Sequence, residues 1–522
     1  MNIMQFFPLH LIYDPFSMAR KSSFIQRGLN LTEKVGNALP HPATLFALFA
    51  LFTLLFSGIA HWAGWTAVHP GTGEQVSAVN LLSREGFHRI LLEMVDNFTG
   101  FAPLGIVLVA MLGIGVAEGS GLIGAVIRLL VLSAPRRILT FVLVFSGIIS
   151  NLASDVGYVL LIPLAGIVFK AVGRHPITGM AAAFAGVSGG FSANLLLGTV
   201  DPLLAGLSEE AAQIVDPDYL VNPTANYYFM VVSTFLISVV GTVITERIVA
   251  PRLGDYSDGN REDGMEKLSR KEKFGLLWAG VSVFLLTGLV LAGLIPENGF
   301  LRGEDGSVLQ SPVIRGVVAW LFIFAFVGGV VYGIVTGKFR NDSDVAEGMA
   351  DSMKTLAVYM VLVFFAAQFV AYFKWSNLGL IMAIKGAGVL TALNVGLIPL
   401  VILFIIFAAT MNMFMGSASA KWALLAPIFI PIFMFMGYSP ELAQVVYRIG
   451  DSVTNIVSPM MSFFALIIAF IQKYDKKAGI GTVIATMLPY SIGFFIAWTI
   501  LIVAWVWIGL PLGPDAGLYY HP

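Results

Sequence analysis

From His41 to Trp62 the chain runs without a lysine, arginine, aspartate or glutamate, and apolar stretches of similar length recur to its end. About 20 such residues, rising 1.5 Å each, cross the hydrocarbon core of a bilayer as a helix. Windows of that length place nine spans, at residues 41–62, 90–117, 178–202, 224–248, 274–295, 312–337, 352–373, 440–470 and 479–509. The runs are long and nearly continuous, whereas the strands of a membrane barrel are short and alternate in polarity. A chain of 522 residues that is 57% hydrophobic and 12% charged also carries more apolar surface than one soluble core can hide. The expected class is an all-α polytopic membrane protein, with the lipid bilayer as its surroundings.

Two further apolar regions, 136–172 and 393–437, are broken at mid-length by polar residues, Ser150–Asp155 and Asn412–Ser419. Each arm is short for a crossing, so both read as re-entrant hairpins; the other reading makes each a pair of short spans. Residues 120–133 and 376–391 read as connecting helices along the interface. Cytoplasmic loops carry an excess of lysine and arginine. With the N-terminus inside, 22 of the 30 lysines and arginines fall on the cytoplasmic side, and the acidic loop Leu203–Thr224 falls outside. Residues 1–40 have no signal-peptide order and read as a retained cytoplasmic segment. A charged linker, 251–273, separates a first half, 41–250, from a second half, 274–510, and 511–522 is an external tail. One hairpin enters from each side, so the halves read as inverted repeats, an arrangement of secondary transporters whose sites lie at the repeat interface near the midplane.

The repeats align around polar residues. Ser150-Asn151-Leu-Ala-Ser154-Asp155 answers to Asn412 through Gly416-Ser417-Ala-Ser419, and Gly189-Gly190-Phe-Ser192-Ala-Asn194 answers to Gly450-Asp451-Ser452-Val-Thr454-Asn455. Glycine and proline interrupt the helical ladder there and free carbonyls and amides that need partners. Carbonyl, hydroxyl and asparagine oxygens suit sodium, which places a candidate sodium site near Asn151, Asn194, Asn412 and Asn455; close helix packing is the plainer use of the same residues. Among the charges, Arg448 and Asp451 are neighbours on one helix face and could form a buried pair. Alternatively Arg448 binds a substrate carboxylate while Asp155, Asp201 or Asp451 serves in coupling. Trp422 could stack on an aromatic ligand or only fill space. The seven histidines lie near the termini, in loops or by a span end, which leaves proton coupling to carboxylates. The chain has no cysteine and no HExxH, Walker A or GxSxG sequence, so no enzyme and no cofactor is expected, and a net charge of −1 gives no reason to expect nucleic acid. Gly113-Ile-Gly115-Val-Ala-Glu-Gly119, lying in a span, has no nucleotide meaning.

Through SNLASD, GFSANLLLGTVDP, NMFMGSASAKW and YRIGDSVTNIVSP the chain resembles the p-aminobenzoyl-glutamate transporter (AbgT) family over nearly its whole length. The resemblance implies a bowl-shaped homodimer in the bacterial inner membrane, with nine spans and two opposed hairpins per protomer. It implies export of sulfonamide-type antimetabolites and handling of p-aminobenzoyl-glutamate on the proton gradient, and it suggests Asp201, Asn412, Ser419, Trp422, Arg448, Asp451 and Pro459 as site residues. Ser417 and Asn455 join them from the polar clusters. The competing expectations are sodium-coupled import of p-aminobenzoyl-glutamate or a dicarboxylate, and, further off, a channel, which would show rings of like residues.

Overall fold

A computed structural model describes residues 40–521 apart from 71, 153–156, 255, 257–266, 305, 309–310 and 462. Residues 1–39 of the expected N-terminal segment, 255 and 257–266 of the linker, and Ser154 and Asp155 therefore lie outside the described residues. In chain order the helices are α1 Pro42–Trp62, α2 Arg84–Thr99, α3 Ala102–Gly119, α4 Leu122–Leu132, α5 Leu139–Ser150, α6 Ile162–Ala171, α7 Pro176–Phe184, α8 Val200–Ala212, α9 Tyr227–Ile244 and α10 Ala250–Leu253. They continue as α11 Arg270–Leu294, α12 Pro312–Arg315, α13 Val317–Thr336, α14 Asp342–Thr355, α15 Ala357–Trp375, α16 Leu378–Ala392, α17 Leu397–Asn412, α18 Ala418–Phe435, α19 Pro440–Asn455, α20 Phe464–Gln472 and α21 Ile480–Ile508. Wide π-type turns at Gly157–Leu161, Ala185–Gly189 and Thr245–Val249 open α6, close α7 and extend α9.

Among the described residues, eight helical segments are long and apolar enough to cross a membrane: α1, α2 with α3, α9 continuing to Leu253, α11, α13, α15, α18 and α21. Most coincide with the expected spans. The exception is α18, which runs 18 residues through Pro427 and Pro431 inside a region expected to hold only short arms. Each proline removes one ladder hydrogen bond without ending the helix, because surrounding protein tolerates the freed carbonyl. Two expected spans are interrupted, in the regions where glycine and proline were expected to break them. The 178–202 region is helical to Gly189, irregular through 190–199, and helical again from Val200. The 440–470 region is helical to Asn455, irregular through the stretch holding Pro459, and helical again from Phe464. A two-stranded antiparallel ribbon, β1 Thr66–Val68 with β2 Gln75–Ser77, also joins α1 to α2 and was not expected.

Helix α3 is a packing centre, with α13 and α14 against it and α11 beyond α13. Its glycines make the approach possible: a Cβ on Gly113 would lie 2.6 Å from the backbone of Phe322, and one on Gly115 would lie 2.3 Å from Ser352 Cβ. In membranes, where helices gain nothing by hiding apolar surface from lipid, such small residues supply the close contact that holds them together. The GxGxxxG run is thus a packing surface. A second group of helices surrounds the interrupted regions: α5 lies against α7 and α9, α17 against α19, and α21 against both α9 and α19. Helix α8 touches α3 on one side and α18 and α19 on the other, so it bridges the two groups. The C-terminal segment folds back: the Leu512 carbonyl accepts from the Tyr228 and Phe229 amides at 2.9 and 3.2 Å, and the Leu518 carbonyl accepts from Ser439 N at 3.0 Å.

Replacing Gly113 by leucine must push the backbone of α13 away, and overpacking of this kind costs about 1–3 kcal/mol. Gly388, inside α16, has nothing within 4 Å of its would-be Cβ. Gly113→Leu is expected to lower the melting temperature of detergent-purified protein, while Gly388→Ala leaves it unchanged or raises it slightly; differential scanning fluorimetry reads both.

Candidate functional site

The end of α17, the start of α18 and the last turns of α19 converge on Lys421. Its side chain is fully buried, and it stands 2.5 Å from Asp451 Oδ1, whose own side chain is 1% exposed. The ammonium also donates to Asn412 Oδ1 and to the Met415 carbonyl at 3.3 Å. Three donors meet three acceptors, which satisfies an ammonium completely. Asn412 Nδ2 reaches the Asp451 carbonyl and Asn455 Oδ1, each at 2.8 Å, and Thr454 Oγ1 at 3.0 Å. Asn455 Nδ2 donates back to Asp451 Oδ2 at 3.3 Å, and Ser458 Oγ donates to the Asn412 carbonyl at 3.1 Å. The helix end at Asn412 and the helix end at Asn455 thus close on each other through polar groups.

Arg448 lies one turn before Asp451 on α19, but the two do not pair. Arg448 Nη2 stands 2.7 Å from Asp201 Oδ1, at the first turn of α8, and both side chains are buried. The other Asp201 oxygen accepts from Gly198 N at 2.7 Å. Neighbours three apart on one helix therefore reach in different directions, each to a charge on another helix. The Arg448–Asp201 contact is an ion pair with poor hydrogen-bond alignment: Asp201 Oδ1 has no aligned donor and Arg448 Nε has no acceptor. A void of about 10 Å³, lined by Ser192, Asn226, Met230, Arg448 and Trp498 among others, adjoins the guanidinium. That is room for roughly one water, a fitting acceptor for an orphaned N–H.

Trp422 is fully buried and stacks on Tyr447, with ring centroids 4.4 Å apart and 23° between planes. Its indole N–H donates to Ser208 Oγ at 3.0 Å, and Ser208 donates to Gln444 Oε1 at 2.6 Å. Gln444 Nε2 donates to Asn226 Oδ1 at 2.8 Å, and Asn226 Nδ2 donates to the Glu441 carbonyl at 3.1 Å. The Glu441 carboxylate accepts from the Tyr219 hydroxyl at 3.0 Å. One face of the indole is therefore already taken by a ring of the same chain.

The remaining expected residues fall around these groups. Asn151 Nδ2 donates to the Ile148 carbonyl at 3.2 Å and Asn194 Nδ2 to the same carbonyl at 3.3 Å, while Asn194 Oδ1 accepts from Leu195 N and Leu196 N. Ser417 caps α18 and lies 3.4 Å from the Ser419 hydroxyl. Pro459 is half-buried in the irregular stretch after α19. Asp155 lies outside the described residues. The expected asparagine cluster is thus divided, with Asn151 and Asn194 in one place and Asn412 and Asn455 in another. Among the described residues no group of three or more histidines, aspartates or glutamates could hold a metal ion. The residue set chosen from sequence omits Lys421, Ser208, Gln444, Asn226 and Tyr447. Lys421 carried a signal, since a lysine two residues past a polar turn in an apolar run cannot face lipid without cost. Gln444 carried another, four residues before Arg448 on the same helix face.

Removing one partner of a buried pair leaves an uncompensated charge and costs about 3–5 kcal/mol, whereas replacing both by apolar groups is close to neutral. Lys421→Ala is expected to lower the melting temperature sharply, and Lys421→Met combined with Asp451→Leu to recover about half of the loss or more. A double variant whose loss is the sum of the single losses counts against the pairing.

A family model described as the AbgT putative transporter family matches residues 27–520. The p-aminobenzoyl-glutamate transport protein of Escherichia coli strain K12 is 38% identical over 488 residues, covering 93% of this chain and 96% of that protein. Two solved structures are similar throughout. The YdaH transporter of Alcanivorax borkumensis is 47% identical with a TM-score of 0.87, over 91% of this chain and 100% of that one. MtrF of Neisseria gonorrhoeae, assigned to a class of antimetabolite efflux pumps, is 48% identical with a TM-score of 0.89, over 94% of this chain and 100% of that one. With a family match over nearly the full length, a curated relative above one-third identity and two similar structures, this chain belongs to the AbgT putative transporter family of membrane proteins.

Proposed function

We propose that this protein is a secondary transporter of the bacterial inner membrane that exports sulfonamide-type antimetabolites and handles p-aminobenzoyl-glutamate, driven by the proton gradient. The reading rests on the relatives' described activities and, in this chain, on one observation above the others: Arg448 is buried against Asp201, on a helix far from it in sequence. A guanidinium matches a carboxylate in geometry and stays charged at any physiological pH. An ionised Asp201 accepts from the substrate's amino group while Arg448, whose Nε has no acceptor, takes a substrate carboxylate or sulfonamide oxygen. Protonation of Asp201 withdraws that acceptor and releases the substrate, so proton and substrate exclude each other, which is the linkage that proton-driven export needs. Lys421 and Asp451 form the second pair, one helical turn away.

In this reading the N-terminus is cytoplasmic and the C-terminus periplasmic, α5–α6 and α17–α18 are re-entrant hairpins of inverted repeats, and two protomers form a homodimer. The α3, α11, α13 and α14 group is the scaffold, against which the helices around α17–α19 move to alternate access. Burial of all four charges corresponds to a state closed to both sides. Asp201, Arg448 and Asp451 would carry substrate exchange and coupling. Asn412, Asn455, Ser417, Ser419, Trp422 and Pro459 would shape the surrounding pocket, with Asn151, Asn194 and Asp155 at the other hairpin. Sodium-coupled import through the oxygens of Asn151 and Asn194 is the competing reading.

Proteoliposomes with independently set proton and sodium gradients separate the two. The expected result is transport of p-aminobenzoyl-glutamate that stops when the pH gradient is collapsed and persists without sodium, with Arg448→Ala and Asp451→Ala reducing it at least about tenfold at equal reconstitution. Transport that requires sodium and ignores the pH gradient overturns proton coupling, and normal transport by Arg448→Ala overturns the central pair.

A further inference from the structure

Helices α2 and α15 face each other across a cleft of about 310 Å³ that has no part in the site above. Arg89, Asp96 and Asn97 line it from one stripe of α2, and Ala367, Val370, Ala371, Lys374 and Trp375 line it from one stripe of α15, each at the 3-to-4 spacing of a single helix face. The small residues of α15 leave the space, and Glu210, near the end of α8, closes it. The floor is tied across the two helices: Asn97 Nδ2 donates to Gln368 Oε1 at 3.0 Å, and Gln368 Nε2 donates to the Met94 carbonyl at 2.8 Å.

The walls carry three kinds of chemistry. Arg89 lies 4.2 Å from the centroid of the Trp375 ring and 3.0 Å from Glu93, which hold the guanidinium in position. Lys374 is exposed and takes part in no ion pair among the described residues. Asp96 and Glu210 supply carboxylates, and Phe101 and Trp375 supply aromatic surface. The volume lies at the lower end of small-molecule pockets, about 300–1,000 Å³. A ligand that satisfies every wall is a flat aromatic ring with carboxylates at one end, facing Lys374 and Arg89, and an amino group at the other, donating to Asp96 or Glu210. Helix α8 also connects the cleft to the pair described above. Asp201 and Glu210 are nine residues apart on it, which is roughly 14 Å at 1.5 Å per residue.

We propose that this cleft is a second binding site, specific for aromatic amines that bear carboxylates and separate from the Asp201–Arg448 pair. The proposal rests on the transport reading for its choice of ligand class. The site would hold cargo at the protein surface, at the far end of the helix that carries Asp201.

Equilibrium binding of radiolabelled p-aminobenzoyl-glutamate to the full-length protein in detergent tests it. Two sites per protomer are expected. Lys374→Glu and Trp375→Ala should each weaken one of them by about tenfold or more and leave the other unchanged, as loss of a charge-assisted contact or of an aromatic face does. Lys374→Gln should fall between Lys374→Glu and the natural protein, and because Lys374 is exposed its variants fold. Arg448→Ala should remove the other site only. If Arg448→Ala abolishes all binding and the Lys374 and Trp375 variants match the natural protein, the cleft is not a site and the transport reading stands. If the natural protein does not bind the ligand at all, both fall.

Discussion

An ammonium, a guanidinium and two carboxylates share the interior of this protein, and none is more than 5% exposed. Removing an ion from water costs several kcal/mol even after relaxation, and only close partners with satisfied hydrogen bonds offset that. Lys421 meets the requirement in full, with Asp451, Asn412 and the Met415 carbonyl as its three acceptors. Arg448 meets it in part, through Asp201 alone among charged groups, with Nε left without an acceptor. The difference separates the two pairs by geometry. The complete one ties the ends of three helices together, and the incomplete one leaves a guanidinium nitrogen without an acceptor.

The helix interruptions follow from the same requirement. The α7–α8 break puts Asp201 in the first turn of a new helix, and α19 ends at Asn455, which Asn412 reaches. The irregular stretches at 190–199 and 456–461 shorten these helices so that their ends, rich in unpaired amides and carbonyls, lie beside the charges. Helix α8 conveys this arrangement outward. It carries Asp201 in its first turn, gives Ser208 to the indole of Trp422, and rests Gly206 on Pro103 of α3, where a Cβ would lie 3.0 Å from the proline ring. A shift of α8 against α3 would thus be felt at both Arg448 and Trp422.

The fold was legible wherever the bilayer sets a length. Spans such as 41–62, 274–295 and 479–509 stand out because crossing hydrocarbon leaves few ways to satisfy a backbone, and α1, α11 and α21 fall within a residue or a few of them. The β1–β2 ribbon, three residues per strand, is too short for periodicity to reveal. In the site, the charges themselves were visible because they are rare in apolar runs. Their partners were not. The spacing of Arg448 and Asp451 points to a local pair, yet side chains three apart on a helix diverge by about 60°, and here that angle is enough to send one toward α8 and the other toward α18. The partners of Trp422, on α8 and α19, are likewise set by tertiary packing and carry no local motif.

Lys421 also changes what the neighbouring asparagines can do. Asparagine, hydroxyl and carbonyl oxygens near a helix break are suited to a sodium ion, and at Asn412 and Asn455 they are present. The oxygens that face inward are already committed, Asn412 Oδ1 and the Met415 carbonyl to the ammonium and Asn455 Oδ1 to the Asn412 amide. A metal cation there would have to displace a positive charge that is covalently part of the chain and fully buried. The place that a sodium ion would take at Asn412 and Asn455 is thus already filled by a fixed cation, which confines the sodium reading to Asn151 and Asn194.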